Sequence, residues 1–181
     1  MLQITIPETE LFDNKTQTFI YVKQQTLQLE HSLVSLSKWE SKWEKPFLTK
    51  TPMTRAQSVD YIRCMTITQN VDPNVYLCIT NDIIEKVSSY IEAPMTATWF
   101  SDENKKKYGK NEIATAEVIY WWMISLQIPF ECRKWHLNKL LTLIRVCSEK
   151  NAPPKKTNNK EWANQRRALN AARRKSLHTK G

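Results

Sequence analysis

The sequence predicts a mainly α protein: a compact helical domain with a short N-terminal β-hairpin and a flexible, basic C-terminal tail. Three observations carry this reading. Only two glycines, Gly109 and Gly181, occur among 181 residues. Usage near 7% is ordinary, so the deficit argues against a turn-rich all-β fold and against a glycine-built phosphate loop. Apolar residues recur at helical spacing through much of residues 26–150. The charge is also lopsided: of a formal +9, residues 151–181 hold nine Lys/Arg against one acid, while residues 1–150 hold 18 bases against 17 acids. The expected organisation is a helical domain over 1–150 and a tail over 151–181.

A hydrophobic fraction of 41% and a charged fraction of 25% are ordinary for a globular protein. Cys64, Cys78, Cys132 and Cys147 form no CxxC pair and sit in apolar neighbourhoods. Such cysteines behave as small hydrophobes, and a reduced, intracellular setting is expected. The opening MLQITIPETE is acidic and alternating, unlike a signal peptide. No apolar run approaches the roughly 20 residues needed to cross a bilayer, so no membrane partner is expected.

Residues 2–6 (LQITI) and 18–22 (TFIYV) alternate apolar and polar side chains, with Asp13-Asn14 as a turn between them. Paired, they make a β-hairpin within residues 1–23. Thr26 is the expected cap of a helix reaching Trp43, with Leu29, Leu33, Leu36, Trp39 and Trp43 on one stripe. Lys45-Pro46 ends it. Thr54 and Gln57 match a capping box for a second helix, whose buried face is Val59, Ile62, Met65 and Ile67. Asp72-Pro73 starts a short helix carrying Val75, Tyr76 and Ile79. Thr80 caps another with Ile83, Ile84, Val87, Tyr90 and Ile91 inward.

From Glu92 the pattern loosens. Ala93 to Phe100 reads as extended chain laying apolar side chains on the body, and the following SDENKKKYGK as a surface loop. The stretch Ile119–Cys147 concentrates apolar mass and reads as a helical hairpin turning at Gln127–Phe130. Its first helix begins near Glu112. Ile113, Val118, Tyr120, Trp121, Trp122 and Ile124 surround it, so it should be central. Trp135, Leu137, Leu140, Leu141, Ile144 and Cys147 face it from the returning helix. After two prolines, Glu161–Lys175 is rich in alanine and arginine and can form a helix, with Trp162 and Leu169 on a thin stripe. Such a tail is disordered or ordered on a partner.

Candidate chemistry is sparse. Cys132 and His136 lie four apart, but zinc needs three or four ligands and no second pair follows. His31 and His178 have no adjacent nucleophile or acid pattern that would mark catalysis. Glu40 and Glu44 alternate with Lys38 and Lys42, as on a solvated helical face. No catalytic residue, metal site or cofactor is expected. Arg166, Arg167, Arg173, Arg174 and Lys175 could neutralise phosphates or meet an acidic protein.

Three passages together carry a resemblance: LEHSLVSLSKWESKWEKPFL at Leu29–Leu48, DYIRCMTITQNVDPNVY at Asp60–Tyr76 and IPFECRKWHLNKLLTLIRVC at Ile128–Cys147. With the closing NQRRALNAARRKSLHTKG, they resemble the tail assembly chaperones of long-tailed phages and prophages of Gram-positive bacteria. The resemblance implies a non-enzymatic protein of the host cytoplasm that coats the helical tape measure protein before tail tube subunits polymerise. It also implies a frameshifted longer form that recruits the tube protein. Trp39, Trp43, Trp99, Phe100, Trp162 and the tail cations Arg166, Arg167, Arg173, Arg174 and Lys175 are the candidate partner-binding residues. Two alternatives stand beside it: a structural virion protein of the tail or head–tail junction, and a small nucleic-acid-binding protein acting through the tail. Self-association is left open.

Overall fold

The computed structural model describes residues 1–14, 17–49, 51–100, 113–152 and 159–177. They form two units, Met1–Ser148 and Glu149–Gly181. The architecture is mainly α, preceded by strands β1 (Leu2–Ile6), β2 (Thr9–Asp13), β3 (Thr18–Val22) and β4 (Gln25–Leu29).

The strands correct the expected hairpin. Residues 2–6 do not pair with 18–22; β1 pairs antiparallel with β4, and β2 with β3. The register runs through both ladders, from Leu2↔Leu29 and Ile6↔Gln25 to Thr9↔Val22 and Asp13↔Thr18. The four strands are therefore one long ribbon interrupted at Pro7-Glu8, where proline has no N–H for the ladder. The two halves differ in burial. Ile4, Ile6, Val22, Leu27 and Leu29 enter the core, whereas Phe12, Phe19 and Tyr21 stay exposed. Phe12 and Phe19 face each other across the tip with ring centroids 5.1 Å apart.

Helix α1 (Leu33–Trp43) consequently starts later than expected. Its cap is Ser32, not Thr26, and Ser32 and Ser35 bond reciprocally in a capping box. Leu29 leaves the helical stripe for the strand, while Leu33, Leu36 and Trp39 remain on it, buried. Glu44 ends the helix in the left-handed region at φ 50°, just before Lys45-Pro46. The linker is well held: Glu30 N–H donates to Met65 O at 3.0 Å, and His31 O accepts Leu137 N–H at 2.7 Å.

Helix α2 (Arg55–Met65) has the expected Thr54/Gln57 capping box. Ile62 and Met65 are buried as expected, but Ile67 lies beyond the helix and is exposed. Tyr61, absent from the expected face, is fully buried. A 3-10 segment, Pro73–Cys78, follows with Asp72 accepting Asn74 N–H. Helix α3 (Asn81–Glu92) buries Val87 and Tyr90; Thr80 stands at its N-cap without a side-chain capping bond.

Helix α4 (Ala116–Ser125) is not central. It buries Ala116, Ile119 and Met123 on one face and turns Trp121 and Ile124 outward. A second 3-10 segment, Phe130–Lys134, leads to helix α5 (Leu137–Asn151), which buries Leu137, Leu140 and Ile144. Helix α4 starts later than expected, at Ala116 after the N-cap Thr115; Glu112, where the start was expected, and the lysines 105–107 lie outside the described residues.

Two core clusters result. One joins the ribbon to α2, the first 3-10 segment and α3, with Trp39 of α1 among them. The other gathers Leu33 and Leu36 of α1 with Ile119, Met123, Leu137 and Leu140. Helix α1 is thus the wall common to both, where the sequence suggested the 119–147 hairpin as the centre. In the second unit, α6 (Asn159–Ser176) is one 18-residue helix.

Candidate protein-interaction surface

The tryptophans of α1 are structural. Trp39 is 2% exposed and donates its indole N–H to Gln57 O at 3.1 Å. Trp43 stacks on it at 6.1 Å and donates to Asp60 Oδ2 at 2.9 Å, while Lys42 also reaches Asp60. Both indoles therefore fasten α1 to α2, with the ring of Trp39 withdrawn from any partner.

Glu40 is likewise no solvated carboxylate. It is 7% exposed, and its oxygens accept two backbone donors, Phe47 N–H at 2.8 Å and Ala116 N–H at 2.7 Å. Ala116 is the first residue of α4, whose own N-cap Thr115 makes no side-chain bond. A negative group from α1 supplies that cap, satisfying an orphan N–H and complementing the positive end of the helix.

The two buried histidines form the other polar feature. His31 Nδ1 shares a 2.6 Å hydrogen bond with Tyr61 Oη, and the imidazoles of His31 and His136 meet edge-on at 5.1 Å. Burial, reinforced by His136, pushes the His31 pKa down to about 3. His136 is also lowered, chiefly by burial. Its Nδ1 accepts Asn138 N–H, which assigns the proton of the neutral ring to Nε2, donating to Tyr90 O at 3.1 Å. These rings hold α3 and α5 to the β4–α1 linker and lie out of reach of a substrate. No group of three or more His, Cys, Asp or Glu suited to a metal ion occurs among the described residues.

The remaining sequence candidates are scattered. Trp99 does not lie on the body; it is 92% exposed. Phe100 is half-buried beneath the Arg145 guanidinium, 3.7 Å from its ring centre. Arg166, Arg167, Arg173, Arg174 and Lys175 are exposed along α6, and the side chain of Trp162 lies outside the described residues.

A surface that sequence reasoning missed is the outer face of α4. Trp121 and Ile124 are 63% and 60% exposed. Tyr120 adjoins Ile124 one turn along and stacks on Phe130, itself half-exposed, at 6.3 Å. Phe130, Tyr120, Ile124 and Trp121 therefore run as a continuous apolar strip, and apolar continuity on an exposed face marks an interaction site. Glu117 and Glu131 are exposed on the same segments, and Trp135 beyond is covered by the Lys139 ammonium at 4.6 Å. The signal was present in the sequence: AEVIYWWMIS is apolar on nearly every side, which suits either a central helix or one with an unfilled outer face. No protein-family model, curated protein or solved structure matches the chain.

Proposed function

We propose that this chain is a non-enzymatic phage tail assembly chaperone that holds the tape measure protein during tail morphogenesis. The observation that supports the reading is the exposed Phe130–Tyr120–Ile124–Trp121 strip on α4. A tape measure helix with apolar residues at i, i+3 and i+4 can lay that edge along such a strip, as amphipathic helices do in apolar grooves. Aromatic rings suit the role because they offer large contact area at low conformational cost. Under this reading the protein works in the host cytoplasm, and tube protein is recruited by a longer, frameshifted form.

Co-expression with a tape measure fragment is the test. A soluble complex is expected from the wild type and its loss from Trp121→Ser/Ile124→Ser, with the melting temperature of the variant unchanged. Failure of the wild type to form any complex would overturn the proposal. The rival reading, a structural protein of the tail or head–tail junction, predicts a fixed copy number in purified virions, where a chaperone is absent.

A further inference from the structure

We infer that α6 binds the phosphodiester backbone of a nucleic acid through one arginine stripe. Arg166-Arg167 and Arg173-Arg174 are two pairs seven residues apart on the same helix. Seven residues make nearly two turns, so the pairs share one face and stand about 10.5 Å apart along the axis. Asn170 falls between them on that face, and all five side chains are exposed. The single acid of the helix, Glu161, lies in its first turn.

Residue type favours phosphate. Guanidinium binds phosphate oxygens through two parallel hydrogen bonds, and arginine is less strongly hydrated than lysine. Confinement of the four arginines to one arc suits a helix lying against a charged backbone, with Asn170 able to donate to a phosphate oxygen or a base edge. A membrane surface fits less well, because the rest of the helix offers only Trp162 and Leu169 as large apolar residues.

The inference stands apart from the chaperone reading: α6 belongs to the second unit and the α4 strip to the first. The test titrates the full chain against a labelled 20-base RNA strand, RNA duplex and DNA duplex, alongside polyglutamate of equal charge and anionic phosphatidylserine vesicles. Salt-sensitive binding to nucleic acid is expected, and the polymer bound tightest names the source. Replacing all four arginines by glutamine should weaken it at least 30-fold at low salt and flatten the slope of log K against log salt by about three to four. Replacement by lysine should keep most of the slope while losing affinity. Three results would overturn the inference: no nucleic-acid binding, binding indifferent to the glutamine variant, or equal or tighter binding to polyglutamate or vesicles.

Discussion

At the scale of single residues, Glu40 shows how far a charge can be from its expected role. Spacing beside Lys38, Lys42 and Glu44 placed it on a solvated face, yet it accepts from Phe47 N–H and Ala116 N–H inside the domain. Removing a charged acceptor strands two amides, so Glu40→Ala should cost about 2–4 kcal/mol in urea unfolding, against under about 0.5 for Glu44→Ala. Equal effects would show the clamp to be idle. The histidines make a second prediction. His31 is held neutral in the fold, its pKa down to about 3, and burial lowers that of His136 too, while the unfolded chain takes up their protons below about 6.5. Stability is therefore complete above that pH and declines as pH falls towards 3. For His31 alone the loss should be about 2 kcal/mol at pH 5. Urea midpoints at pH 7 and pH 5 check it, and His31→Gln should flatten part of the slope.

At the scale of elements, the two faces of the 116–144 region should respond differently to the same kind of change. Leu140 is fully buried and Trp121 largely exposed. Leu140→Asp should therefore unfold the domain by burying an unpaired charge, while Trp121→Asp should leave its melting temperature nearly unchanged. Circular dichroism melts decide between them. Some helix boundaries were legible, the Thr54/Gln57 box, Asp72-Pro73 and Lys45-Pro46 among them, whereas the start of α1 was not. Gln25–Leu29 was not legible, because Leu29 continues the helical stripe of Leu33 and Leu36 as well as it alternates with Leu27. Long-range pairing with Leu2–Ile6 decides for strand, and no local rule contains that partner. The α4 strip was hidden for the same reason: which flank of a largely apolar helix stays open depends on where α1 lies.

At the scale of the molecule, α1 belongs to both core clusters, Leu33 and Leu36 to one and Trp39 to the other. Neither cluster can melt without exposing the wall of its neighbour. The first unit should therefore unfold in a single transition, with tryptophan fluorescence and far-ultraviolet dichroism coinciding. Every residue of the two clusters precedes Ser148, so a chain ending at Ala152 should retain that transition and its midpoint. Two separated transitions would show that α1 does not couple the halves. The clamp of Glu40 on Ala116 also has a kinetic side. It joins positions 76 residues apart, and contacts that close long loops tend to form late. The first turn of α4 would then wait for α1 and act as a latch set at the end of folding. We expect Glu40→Ala to hasten unfolding several-fold while the refolding rate hardly moves, a split that stopped-flow chevrons read directly.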